Sequence, residues 1–378
     1  IKDRVLAFMT DFESECFKLG IPLKTRHNEV APHQFECAPV FEEANVAVDH
    51  NQLVMDVMRR VAARHGLAAL MHEKPFAGVN GSGKHNNWSL GTATGKNLLS
   101  PGATPQENLQ FLIFLVSIVK AVHQHGLLLR AAIASSGNDH RLGANEAPPA
   151  IMSIFLGAQL TKVLNDMEKG VTTKGTAPEW ISLGIDEIPP VLKDNTDRNR
   201  TSPFAFTGNK FEFRAVGASA NNAIPMSTLN TIVAGQLISA KKDIDAALKK
   251  GKTLKEAVLG VLREYYAESK AVCFEGNNYS AEWVVEAKKR GLPNETTTPA
   301  ALKGFALKKS VSLFARLGVL TEEEAQSRYH ILMEKYAKDI DIEAKLALEM
   351  TSTLFVPAAI EYQGELSKVV ASLAANGV

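Results

Sequence analysis

Apolar residues recur every three to four positions at the start of the chain, through Val5, Leu6, Met9, Phe12 and Cys16, until Gly20 ends the run. That spacing predicts an amphipathic helix already under way at residue 1. A long helix is expected over about 43–65, ended by Gly66, and FLIFLVSIVKAV at 111–122 predicts a buried one. Thr104, Pro105 and Glu107 offer that helix an N-cap, a first-turn proline and a capping box, and Gly126 offers its end, so it is placed at 104–125. Its apolar run carries Lys120 and is too short to span a bilayer. LAALMH (67–72) and FEFRA (211–215) read as strands, and SSGNDHRLGANEAPP around 135–150 reads as loop. From about Met226 the pattern turns helical. Capping boxes stand at Thr253–Glu256 and Thr321–Glu324, and Leu254, Val258, Leu262 and Tyr265 recur at helical spacing. The expected organisation is an α+β part at 1–235 and an all-helical part at 236–378.

Composition narrows the class. The 378 residues are 45% hydrophobic and 22% charged with a net charge of +1, which is an ordinary soluble balance. It argues against a nucleic-acid partner or a membrane surface. Cys16, Cys37 and Cys273 are few, odd in number and unpatterned, so reduced cytoplasmic thiols are expected rather than a disulfide framework. No signal peptide is expected from the opening residues. Ile1 is not a methionine and the first helix starts abruptly, so the chain is expected to be a piece of a longer protein.

Candidate chemistry begins with HNEVAPHQFE (27–36), which carries Glu29 and Glu36 on either side of Pro32. Positions seven apart on a straight strand face opposite ways, but a bend at the proline could aim both carboxylates at one place. At an effective dielectric of ~20, two such charges ~5 Å apart repel by ~3 kcal/mol, so they stay apart or hold a cation between them. In KFEFR (210–214), Lys210, Glu212 and Arg214 share one face and Phe211 and Phe213 the other. Taken alone this favours an exposed sheet over one lining a polar funnel. KPFAGVNGSGKHNNWS (74–89) sets glycines at 78, 81 and 83 before His85, which suits close backbone approach to a ligand. NDHRLGANEAPP (138–149) joins Arg141, able to fork onto carboxylate or phosphate, to Glu146. Arg198 and Arg200 in DRNRTSPF (197–204) are further candidate anion binders.

These four ordered motifs, spread over about 190 residues, resemble those of glutamine synthetases. KPFAGVNGSGKHNNWS resembles the family's ATP-binding-region signature, EVAPHQFE its glutamate pair, RLGANEAP its flexible glutamate loop, and NRT with KFEFR its arginine and metal-ligand strand. The helical tail and the TRHNEVAPHQFE wording are similar to the large type III bacterial form. The resemblance implies a curved antiparallel sheet forming a funnel, with helices outside and a helical C-terminal domain. It implies ATP-dependent ligation of ammonia to glutamate through γ-glutamyl phosphate. Residue by residue, it assigns Glu29 and Glu36 to one metal and His85 and Glu212 to a second, with Mg²⁺ or Mn²⁺ as the ion. Asn80, Gly81 and Arg214 would contact glutamate, and Asn87, Ser89 and Lys210 would contact ATP. Arg141 and Arg200 would stabilise the transferring phosphoryl group. Glu146 would close the site and take a proton from ammonium. A homo-oligomer, a dodecamer of two hexameric rings, is also implied.

Some family features are missing. The spacing from Arg141 to Glu146 is one residue shorter than the pattern, Lys210 and Ala205 stand where other members carry arginine, and the adenylylated-tyrosine motif of type I enzymes is lacking. The family's upstream metal carboxylates and its partner-subunit aspartate fall outside this chain, so the chain alone is expected to be inactive. Two rivals remain at this point: a related γ-glutamyl ligase using a larger amine, and a scaffold without turnover.

Overall fold

The structure, a computed structural model, describes residues 1–171 and 201–377, with the backbone alone of Trp180–Ile181 and Val191–Leu192 between them. Helix α1 (Asp3–Lys18) buries Met9, Phe12 and Cys16 as the spacing predicts, and Gly20 follows it in the left-handed region at φ +77°. Strands β1 (Leu23–Asn28) and β2 (Phe35–Pro39) form an antiparallel hairpin whose connection contains Pro32. Helix α2 (Ala44–Arg64) packs on α1, and together with the hairpin they enclose a small core of Phe12, Cys16, Ile21, Leu23, Val54, Val57 and Val61.

LAALMH is not a strand. Among the described residues no strand pairs with it, and Leu70 is exposed. The next strand is β3 (Gly83–Trp88), and α3 (Leu109–Ala132) is the spine of the main core. Its start differs from the expected 104. Pro105–Glu107 forms a separate turn, and Asn108 caps α3 by accepting the Phe111 N–H at 3.0 Å. The helix also runs past Gly126, with a kink at His125, because Leu128 and Leu129 are as buried as the residues before them. Among the described residues α3 is the only helix long and apolar enough to cross a bilayer, and most of it is buried inside the protein.

After α3 come α4 (Ser136–Arg141), β4 (Ile154–Phe155) and α5 (Ala158–Glu168). The pair β5 (Trp180–Ile181) and β6 (Val191–Leu192) precedes β7 (Phe204–Phe206) and β8 (Phe211–Gly217). The central sheet runs β3–β8–β7–β4, antiparallel except for the parallel β7–β4 pair. The fold is thus α+β with a mixed sheet and a helical C-terminal region. Phe211 and Phe213 are buried against Phe204, whose ring stacks on Phe211 at 4.5 Å, so one face of β8 is sealed by aromatic packing.

Helix α6 (Ala223–Lys249) crosses the expected boundary at 235/236 and packs on α3, so a single core spans both parts. Helices α7 (Leu254–Ser269), α8 (Ala281–Lys289), α9 (Thr298–Ala306) and α10 (Lys308–Arg316) complete it. The final helices, α11 (Glu322–Met350) and α12 (Val356–Ala375), are joined by a wider turn at Thr351–Phe355 and bury only Ala325. Both expected capping boxes are present, with Thr253 and Glu256 starting α7 and Thr321 and Glu324 starting α11.

Candidate active site

The hairpin answers the question set by its two acids. Residues opposite each other in an antiparallel pair project to the same face, and the register sets His27 opposite Glu36. Glu29 sits at the mouth of the turn, its N–H donating to Gln34 O at 2.9 Å. His27 Nδ1 lies 3.5 Å from Glu29 Oε1 and Nε2 lies 3.7 Å from Glu36 Oε1. One donor atom from each residue falls within 4.8 Å of the other two.

Burial first, then hydrogen bonding and repulsion from Glu36, raise the Glu29 carboxyl above its ordinary range. Bonding to the Asn28 carbonyl, and to a lesser degree the two carboxylates, raises His27. The donor set fits a hard divalent cation. Bonds of roughly 2.0–2.2 Å place opposite ligands about 4 Å apart, within a small side-chain adjustment of this cluster. Glu29 and Glu36 are the oxygen donors, and His27 adds a nitrogen that the motif did not reveal.

A second group lies across β3 and β8. His85 Nδ1 is 3.0 Å from Glu212 Oε1, while Arg214 Nε and Nη2 donate to Glu212 Oε2 at 3.0 and 2.7 Å. Burial alone would raise the Glu212 carboxyl, but the His85 hydrogen bond and Arg214 outweigh it and hold it at about 2. Glu212 therefore stays an anion. Asn87 shares the open face of β3 with His85 and stands opposite Glu212 in register. Ser89 Oγ donates to Asn97 Oδ1 at 2.8 Å and lies 3.1 Å from Asn209 O, next to Lys210 at the entry to β8.

Two contacts join these groups. Gln34 Nε2 donates to Gly81 O at 3.0 Å and to Ser82 Oγ at 3.2 Å, tying the hairpin tip to the glycine-rich loop. Asn80 Nδ2 donates to Glu146 Oε2 at 2.9 Å. Asn145 and Glu146 both have positive φ, 53° and 66°, a conformation asparagine tolerates and glutamate adopts at a cost of about 1–3 kcal/mol. The surroundings hold Glu146 in place against that strain.

Comparison with known proteins gives the family. The glutamine synthetase catalytic-domain model matches residues 2–142, and the glutamine synthetase C-terminal-domain model matches 257–374. The glutamine synthetase of Bacteroides fragilis is 50% identical over 97% of this chain and 51% of its own length. The type-3 glutamine synthetase of Dictyostelium discoideum is 47% identical over 99% of the chain and 51% of its own. The chain belongs to the glutamine synthetase family. It spans about half the length of the curated relatives it matches. Among solved structures, ligand-free GmaS superposes with a TM-score of 0.55 at 18% identity, over 93% of this chain and 63% of that one, a likeness of fold.

Two arginines of the chain sit otherwise than the resemblance implied. Arg141 is 3% exposed, and it donates to Arg214 O at 2.9 Å, Val216 O at 3.4 Å and Asn138 Oδ1 at 3.3 Å. Its guanidinium is committed to backbone carbonyls of β8 and does not present itself to a phosphoryl group. Arg214 is 4% exposed and forks onto Glu212. Its reach to a substrate carboxylate is correspondingly restricted. Arg200, with Arg198, lies outside the described residues.

The charged face of β8 is also not the exposed surface that its alternation favoured, because β3 and α4 flank it. The C-terminal half contributes too. Asn278 bonds Thr201 and Ser153, and the neighbouring Tyr279 phenol is pushed up to about 12 by burial and by Glu146. No motif pointed to Tyr279. Asn277–Tyr279 simply reads as a loop before α8.

Proposed function

We propose that the protein ligates ammonia to L-glutamate at the expense of ATP, by way of γ-glutamyl phosphate. The observation that carries this reading is the cluster of Glu29, Glu36 and His27, tied through Gln34 to the loop that bears Asn80 and Gly81. A carboxylate is a poor acyl donor. Activation requires its oxygen to attack the γ-phosphorus of ATP, which expels ADP, and that transfer is mostly positioning and charge neutralisation. Divalent cations held by Glu29, Glu36 and His27, and by His85 and Glu212, would supply the neutralisation.

The chain's own residues do the rest. Asn80 and Gly81 hold the glutamate, and Asn87, Ser89 and Lys210 line the nucleotide side. Arg214 fixes the Glu212 carboxylate as an anion, and Arg141 braces β8 from behind. Ammonia attacks the activated carbonyl and phosphate leaves, while Glu146 accepts the proton that ammonium must lose. The strained loop carrying Glu146 also covers the acyl phosphate against water.

The experiment is an amine panel. Full-length protein with ATP and glutamate is given ammonium, hydroxylamine, methylamine and ethylamine, and ADP and amide products are quantified. Ammonium should give the highest kcat/KM of the naturally occurring amines. A preference for an alkylamine would make the protein a different γ-glutamyl ligase, and no amide with any amine would refute ligation.

A further inference from the structure

Glu73 immediately precedes the glycine-rich loop and is 2% exposed. A buried carboxylate is costly unless its oxygens are bonded. Its Oε1 accepts from the Ser219 N–H at 2.9 Å and the Ser219 hydroxyl at 2.6 Å. Its own carbonyl accepts from the Ser82 N–H at 2.8 Å, closing the loop on itself.

Glycines make the room. A Cβ on Gly217 would lie 2.5 Å from Glu73 Oε1, and one on Gly137 would collide with Oε2. A Cβ on Gly81 would lie 2.5 Å from the Glu73 carbonyl. Glu73 thus joins three segments: its backbone carbonyl holds the loop bearing Asn80 and Gly81, and its side chain packs against the end of β8 and the start of α4. In the proposed mechanism none of these contacts reaches a reacting atom.

We propose that Glu73 is a positioning residue that latches the glycine-rich loop to Ser219 and so sets the affinity for glutamate. The inference rests on the glutamate-ligating reading above. The two ends of the motif are held differently. From Gly83 to Trp88 it is β3, laddered against β8 between Gly217 and Phe211, which fixes His85, Asn87 and the nucleotide side without Glu73. Asn80 and Gly81 precede that ladder. They are held by the Ser82–Glu73 backbone bond, by Gln34, by Lys74 on the Val79 carbonyl and by the Asn80–Glu146 bond, and of these Glu73 alone ties the loop to the end of β8. Loosening the latch should therefore weaken glutamate and leave ATP alone. A misplacement of ~1 Å is enough to cost ~100-fold in rate.

The test uses the full-length protein and three variants. Glu73→Leu keeps the bulk and removes both acceptor oxygens, Glu73→Gln keeps one oxygen for Ser219, and Ser219→Ala removes a single bond. Glu73→Leu should raise the KM for glutamate at least tenfold, with the KM for ATP within twofold. Glu73→Gln should restore the glutamate KM to within threefold of wild type. If Glu73→Leu does not fold, Ser219→Ala should still raise the glutamate KM about threefold.

An unchanged glutamate KM, equal rises in both KM values, or Glu73→Gln as impaired as Glu73→Leu would overturn the latch. Amide hydrogen exchange over residues 78–83 gives a readout independent of turnover. It should accelerate at least fivefold in Glu73→Leu, or in Ser219→Ala if only that variant folds, and unchanged exchange would again overturn the latch. Wild-type protein that makes no glutamine would refute the function and leave the exchange result to decide the latch.

Discussion

Asn80 donates to Glu146 at 2.9 Å, so the glycine-rich loop and the loop carrying the proposed proton acceptor are joined by a side-chain hydrogen bond. Glu146→Ala in the full-length protein is expected to lower kcat for glutamine formation by ~100-fold or more while ATP binding persists. Steady-state turnover at saturating ammonium, beside nucleotide titration, measures both. Undiminished kcat would take Glu146 out of the mechanism.

The acid cluster predicts selective metal loss. Glu36→Gln removes a charge from the group formed with His27 and Glu29 and should weaken Mn²⁺ binding at least tenfold, or about 1.4 kcal/mol. Glu42→Gln is the control, because Glu42 pairs with His50 at 2.7 Å away from that cluster. Titration calorimetry showing equal losses would contradict the assignment.

The hairpin and the aromatic face of β8 were legible in the sequence, whereas the role of Arg141 was not. Pro32 between two acids dictates a bend, and alternation across Phe211 and Phe213 dictates a buried face. Alternation does not say what covers the other face. Water and a polar interior both accept Lys210, Glu212 and Arg214, and the choice is made by β3 and α4, which are distant in sequence. Helix α4 carries a glycine and an asparagine that suit a loop by local pattern alone. Ser135 caps it, and Asp139 anchors it to Arg130 at 2.9 Å and to the Thr298 N–H at 2.6 Å. Those partners come from α3 and α9, beyond the reach of any local pattern. The same tertiary cause carries α6 through the expected boundary.

Core packing beneath the site makes a stability prediction. Phe211 is fully buried, stacked on Phe204 at 4.5 Å and edge-on to Phe206 at 5.3 Å. Phe211→Ala should destabilise the protein by about 3–5 kcal/mol, read as a shift in denaturation midpoint. A loss under 1 kcal/mol would mean that the aromatic layer is not what holds β8.

Lys84 predicts a pH dependence. Burial lowers its ammonium to about 8 from an ordinary 10.5, opposed by Glu73 and aided by Arg59. Between those values the unfolded chain binds more protons than the folded one, so this group's contribution to stability rises with pH. It is complete only above the unfolded value and is lost as pH falls through 8. Relative to Lys84→Met, the wild type should gain on the order of 2 kcal/mol from pH 7.5 to 10, allowing for partial exposure. A constant difference in urea denaturation across that range would show that the amine titrates normally.

The transfer of oxygen from glutamate to phosphate tests the central claim most directly. Full-length protein is supplied with ATP, ammonium and glutamate carrying ¹⁸O in its γ-carboxylate, and the released phosphate is analysed by mass. If the γ-carboxylate attacks ATP and phosphate later departs from the acyl carbon, each phosphate carries one oxygen from glutamate. Stoichiometric label is the predicted result. Glutamine formed alongside unlabelled phosphate would contradict activation by phosphorylation, and with it the reading of this site.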